Sequence, residues 1–522
     1  MKNPDCPKCG KTMQSRGATP GGKRRWRCEV NRVHCHSTTN AGPVARDKRS
    51  QKIPVFKRTV GGVTTLVVAA AQNATPAHKP FVKALELLCE ERSGDILAVP
   101  LRYKNPTSRW SASQANEDVW ADEFTPYLCN ERKRLNKNLI LLGDIRVQPT
   151  ASAPLTGFEA MTHGESGILA HPKIHSKTIA TPQSRMPKIL STTGAATVRN
   201  YTDSRAGKQG EFHHTIGALL VELKGKKFAI RRINADKKTG SFIEWNRHYG
   251  VDWVKSGVAD AQPALAQIHG DTHVAFADPK VVRIQDSVAA ELKVQHRIWH
   301  DLLDGYAVNP HHAGNPFNAI AKITGNKADA RAEVEQALHF ILDRCINGVK
   351  NIVVPSNHDD FLTRWIISQD WRTAPGNAEF YLETALAMVR GTRMTSAGTE
   401  YPSPFIYWGE KFFAGFPLSL AKFLRRDESF MLADIELGLH GDKGPNGARG
   451  SIKNLRRIGV KGISGHPHAP GEDEGFMQVG TSTPLRLEYT SGPSGWLNTD
   501  ALIYANGKRT LINFIDGECR LC

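Results

Sequence analysis

No stretch of eighteen consecutive apolar residues occurs in the 522-residue chain, which excludes a membrane-spanning helix. The N-terminus, Met1-Lys2-Asn3-Pro4-Asp5-Cys6, lacks the apolar core of a secretory signal. Cysteine is sparse. Four of the nine cysteines fall before position 36, and most of the others sit alone in apolar segments. That spacing is not a disulfide scaffold, and a reducing cytosol is the expected compartment. Acid is scarce at one end. Up to Arg58 the chain holds fifteen Lys and Arg against three Asp and Glu, so this tenth of the chain supplies two-thirds of the formal net charge of +18. Such a basic block faces a polyanion, most commonly nucleic acid. The remaining composition can bury real cores, and the length suits about three domains.

The early cysteines ask for a metal. In Cys6-Pro7-Lys8-Cys9-Gly10 two thiolates can grip one zinc, and Gly10 permits the tight backbone behind them. The second pair must come from Cys28 with one of His34, Cys35 or His36, closing a tetrahedral structural site. So short a segment has no core of its own, and the metal would supply its folding energy. Lys23-Arg24-Arg25-Trp26-Arg27 precedes the second pair, and the layout resembles the zinc ribbons of transposases and topoisomerase tails, although this second pair is wider than Cys-x-x-Cys. Residues 1–50 are therefore expected as a basic zinc-ribbon-like module with one structural zinc on Cys6, Cys9, Cys28 and Cys35 (or His34). Cys519-Arg520-Leu521-Cys522 is a lone Cys-x-x-Cys, too little for a metal site.

Residues 55–265 read as an α/β accessory domain. Thr64 to Ala70 is a β-branched apolar run, Phe81 to Arg92 has helical spacing, and Ile96 to Leu101 is a second strand-like run. That order predicts a βαβ unit. Leu139 to Ile145 predicts another buried strand, and Ile216 to Leu223 with Lys227 to Ile233 a hairpin across Lys224-Gly225-Lys226. The adjacent His213 and His214 are expected to be structural or on the surface.

Five segments between 266 and 490 share one character: Gly270-Asp271-Thr272-His273, His300-Asp301, Ser356-Asn357-His358-Asp359, Leu439-His440-Gly441-Asp442 and Gly465-His466-Pro467-His468. Apolar runs such as Ile352-Val353-Val354 lead into them, and strand ends are where an α/β sheet presents ligands. Asp, His and Asn without a thiolate suit Mn, Fe, Zn or Ni better than Ca or Mg.

In order, these segments resemble the calcineurin-like metallophosphoesterases, whose pattern is D-x-H, G-D, G-N-H-[DE], H and G-H-x-H. The resemblance covers about 266 to 516, and residues 266–522 are expected as the catalytic domain, a pair of mixed sheets flanked by helices. It implies two divalent ions, with manganese the first expectation. Asp271, His273, Asp301 and His468 would hold one; Asp301, Asn357, His440 and His466 would hold the other. Asp301 would bridge them, with Asp304 the alternative, and His358 would stand near the leaving group without ligating. His300 and Ser356 stand where the family has glycine. Two ions about 3.5–4 Å apart activate a bridging hydroxide for in-line attack on a phosphate ester.

The substrate is narrowed by Lys443, Arg449, Lys453, Arg456, Arg457 and Lys461, interleaved with glycines at 444, 447 and 450, which suit a phosphate-tracking loop. Arg449, Lys453, Arg456 and Arg457 are the expected DNA contacts. Within the superfamily the set is most similar to SbcD-like repair nucleases and to the bacteriophage nucleases that degrade host DNA. Val479-Gly480-Thr481-Ser482 and Tyr489 to Trp496 carry the phage likeness, which implies a site of action in the host cytoplasm. The expectation is a metal-dependent DNase that acts on DNA, away from membranes and as a homo-oligomer. A phosphatase or cyclic-nucleotide phosphodiesterase, and a DNA-binding regulator with an inactive site, are the rival readings.

Overall fold

The computed structural model describes residues 12–18, 24–27, 59–103, 119–250, 257–346, 348–396, 398–416, 420–487 and 490–521. The zinc-ligand candidates Cys6, Cys9, Cys28, His34 and Cys35 lie outside the described residues. Two compact units divide the chain, Met1–Ile53 and Pro54–Cys522. In the first, Gln14–Ala18 and Arg24–Arg27 pair as an antiparallel hairpin.

The second unit is a mixed α/β assembly. Strand Thr64–Gln72, helix Lys79–Glu91 and strand Asp95–Leu101 form a βαβ unit, the strands parallel from Leu66 opposite Asp95 to Gln72 opposite Leu101. The helix carries Pro80 in its first turn, is capped by the His78 ring, which accepts the Phe81 N–H, and buries Phe81, Ala84, Leu85 and Leu88 at helical spacing. Pro100 is tolerated because its strand is the edge of this four-stranded sheet. Gly217–Lys224 and Lys227–Asn234 complete the sheet as an antiparallel hairpin. His213 ends a helix, while His214 is buried between the Tyr201 hydroxyl at 2.8 Å and the Thr197 carbonyl at 2.9 Å. Both are structural.

Two larger mixed sheets face each other. In the six-stranded sheet, Ala421–Phe423, Lys350–Val353, His296–Trp299 and Ala266–Ile268 run parallel, and Thr499–Ile503 and Arg509–Asn513 add antiparallel strands. Strand alternation sorts its side chains. Ile268, Ile298 and Ile352 pack with Ile435 and Ile463 of the opposing ten-stranded sheet and with Leu437 and Val479 just past its strands. Trp299 and Val353 point the other way, into a core shared with helices Ala330–Leu342, Asp359–Ser368, Ala378–Gly391 and Pro404–Phe413. Residues 55–265 and 266–522, read from the sequence as two domains, share the ten-stranded sheet: His175–Ile179 pairs with Gly471–Asp473.

Among the described residues, no helix is long and apolar enough to cross a membrane.

Candidate metal centre

Each of the five segments follows a strand. Ala266–Ile268 leads to Asp271 and His273, His296–Trp299 to Asp301, Lys350–Val353 to Asn357, Ile435–Glu436 to His440, and Lys461–Ser464 to His466 and His468. The parallel register of the first two continues into their loops: Thr272 N–H donates to the His300 carbonyl and His273 N–H to the Asp301 carbonyl. His273, Asp301, His466 and His468 all have positive φ, between 40° and 79°. Four non-glycine residues in that region are costly unless their surroundings impose it, a feature that concentrates at functional sites.

Asp271, His273, Asp301 and His468 each offer a donor atom, all within 4.8 Å of one another, and all four are buried. The group could hold a metal ion. His468 Nε2 is 2.9 Å from Asp271 Oδ2 and 3.2 Å from His273 Nε2. A second convergence shares Asp301. Its Oδ2 is 3.3 Å from His440 Nε2, and Asn357 Oδ1 is 3.1 Å from both His440 Nε2 and His466 Nδ1. The structure thus brings together all seven residues assigned from the sequence as metal ligands.

Buried carboxylates dominate the electrostatics of the pocket. Asp271 Oδ1 and Asp301 Oδ1 are buried without hydrogen-bond partners. Burial opposes the charge on His440, yet Asp301 beside it raises its pKa to about 9. His273 likewise reaches about 9, burial being outweighed by Asp304 and Asp301. Asp301 is held well below its ordinary value, because the neighbouring histidines outweigh the cost of burying its charge. The carboxylates thus favour positive charge among these donors, and metal binding to such donors releases protons. The donor set fits a divalent ion.

Asp304, the alternative bridge, lies on the far side of His273. Its Oδ1 is 3.0 Å from His273 Nδ1, an ion-pair contact. This orients the ligand from behind. His358 Nδ1 lies 2.7 Å from the Asp304 carbonyl and its ring packs edge-on against His273. Burial lowers the His358 pKa, while Asp301 and Asp304 partly offset that.

Sequence reading missed what holds the Asp271 loop. Asp500 Oδ1 accepts the Gly270 N–H at 3.0 Å, and its Oδ2 meets His269 Nδ1 at 2.9 Å. Ser482 N–H and Thr481 Oγ1 donate to the Asp271 carbonyl, which gives the Val479 to Ser482 stretch a positioning role. The available signal was a lone Asp at the start of an apolar run, Asp500-Ala501-Leu502-Ile503. His300 is fully buried with neither ring nitrogen hydrogen-bonded, and burial pushes its pKa down to about 3. Gly465 makes room for it, since a Cβ there would stand 2.1 Å from Asp271 Oδ1 and 2.9 Å from His300 Cβ.

Of the expected DNA contacts, Arg449, Lys453 and Arg457 are exposed. Arg456 is ion-paired with Asp473 and with Glu474 at 3.2 Å, so its charge is already countered.

No known protein family matches the chain. It is similar to protein A1 of Escherichia phage T5, with 28% identity over 476 residues that cover 87% of this chain and 82% of that protein.

Proposed function

We propose, for a chain whose relative over most of its length is a phage protein, a two-metal-dependent DNA phosphodiester hydrolase of the calcineurin-like kind. The observation that carries the reading is the meeting of two four-residue donor sets at Asp301. When bound, two divalent ions, manganese first among them, would supply the Lewis acidity that activates water and offsets phosphate charge.

The chain's own residues account for the rest. Asp271, His273 and His468 hold one side, Asn357, His440 and His466 the other, and Asp301 belongs to both. His358 donates from Nδ1 to the Asp304 carbonyl, which leaves Nε2 to carry the exchangeable proton toward the departing oxygen. DNA is favoured as substrate by the basic opening block and by the exposed Arg449, Lys453 and Arg457. In the same reading the opening segment holds one structural zinc.

A plasmid incubated with Mn²⁺, beside a p-nitrophenyl phosphate diester, tests this. Degraded plasmid, stopped by chelator, is the expected result. Hydrolysis of the small diester alone would move the protein to the small-substrate phosphodiesterases, and DNA binding without any hydrolysis would make it a regulator.

A further inference from the structure

The strands that end at the metal centre begin at the other edge of the two sheets, where a second group of charges collects. Lys461 opens the strand whose far end leads to His466. Lys508 lies in the turn between Thr499–Ile503 and Arg509–Asn513, and Lys237 follows the strand Lys227–Asn234. Three hydrogen bonds tie these places together. Asn234 Nδ2 donates to the Arg509 carbonyl at 2.7 Å, and the Arg509 guanidinium donates to the carbonyls of Gly462 at 3.1 Å and Gly475 at 2.8 Å. Each of the three lysines is within three positions of one of those residues. Arg199 joins them through His78, whose N–H donates to the Ala196 carbonyl at 2.8 Å and whose Nε2 lies 3.1 Å from the Lys237 carbonyl.

Among the described residues, none of the side chains of Arg199, Lys237, Lys461 and Lys508 forms an ion pair. The acid within the group, Asp236, accepts the N–H groups of Lys238 and Thr239, each at 2.8 Å, and so caps its own turn. Burial lowers the pKa of Lys237, and the charges of Arg199 and Lys461 lower it further. Burial and the Lys461 charge act on Lys508 in the same sense, and the single charge of Asp236 offsets only part of the effect on either lysine. Like charges are held close together, and an anion would relieve them.

The group is spread over a strand start and neighbouring turns, which suits a backbone of repeated phosphates better than a small anion. Lys461 and His466 are five residues apart on one strand and its exit loop, at most about 17 Å at strand rise. Duplex DNA covers that distance in about five base pairs. We propose that Arg199, Lys237, Lys461 and Lys508 form a phosphate-binding patch that holds duplex DNA to one side of the metal centre. This rests on the DNA reading of the site.

Equilibrium binding of the full chain to duplex DNA, measured in chelator across a salt series, tests it. The doubly substituted Lys237→Gln, Lys508→Gln protein is compared with Lys224→Gln, Lys226→Gln, which loses the same charge from an exposed hairpin tip. The patch variant should lose about 1.8 from the slope of log K against log salt, two phosphates at about 0.9 each, while the tip variant keeps the wild-type slope. If Lys508→Gln prevents folding, Lys237→Gln alone should lose about 0.9. Equal slopes in patch and tip variants would overturn the patch. The assay contains no divalent metal, so an intact plasmid in Mn²⁺ would strike the hydrolase reading alone. A degraded plasmid with unchanged slopes would strike the patch alone.

Discussion

Two clusters of buried charge lie in the same compact unit and obey opposite rules. Around Arg231 every charge has its counterpart. Its guanidinium donates to Glu222 at 2.5 and 3.2 Å, to Glu244 at 2.6 Å and to the Cys519 carbonyl at 3.2 Å. Arg92 adds a second cation to both acids, and the Leu521 N–H donates to Glu222 at 2.8 Å. Around Asp301, carboxylate oxygens and ring nitrogens are left over, and the carboxylates draw the His273 and His440 pKa values up. The first cluster is closed and fixes the C-terminal residues against the βαβ sheet. The second is open, at strand ends, with four residues in an uncommon backbone region. Burial and charge alone do not mark a site; donor atoms without hydrogen-bond partners converging at strand ends do.

The sharpest contrast expected is kinetic. His358→Ala should slow DNA cleavage by about 10²–10⁴-fold, the loss typical of a missing general acid, and leave metal binding unchanged. Metal analysis beside single-turnover rates checks it; loss of an ion would turn His358 into a ligand.

The closed cluster should answer in stability instead. Arg231→Met leaves Glu222 and Glu244 buried with too few cations, at a cost of about 3–5 kcal/mol. Urea unfolding should show that loss, and the folded fraction should still bind metal. Unchanged stability would mean that Arg92 alone satisfies both acids.

Glu333 is the intermediate case and gives the smallest effect. Its carboxylate accepts the N–H groups of Tyr306 and Ala307, both at 2.9 Å, and burial raises its pKa to about 7. A carboxyl with a raised folded pKa contributes stability below its unfolded value near 4.5 and loses it as pH rises to about 7. Relative to Glu333→Gln, the wild type should therefore lose stability across that window. Parallel pH profiles of melting temperature would refute the assignment.

The candidate site was legible because each of its segments is local: an apolar run sets the strand, and the polar residues follow within a few positions. Asp271, Asp301 and Asn357 could be read that way. The partners that place them could not. Asp500 meets Gly270 from 230 residues away, and nothing in its neighbourhood names that partner. The βαβ unit and the Lys224–Lys227 hairpin were legible for the same local reason. The ten-stranded sheet was not, because the pairing of His175–Ile179 with Gly471–Asp473 leaves no pattern in either segment. Arg456 looked like its neighbours in sequence and differs from them only through Asp473 and Glu474.

The open cluster is most directly tested by counting manganese bound to the chelator-treated full chain and to its Asp301→Ala variant by equilibrium dialysis. Two ions per wild-type chain, with both sites weakened by the one substitution, is the predicted result, since Asp301 belongs to both donor sets. Two ions retained by Asp301→Ala, or none bound by the wild type, would contradict it.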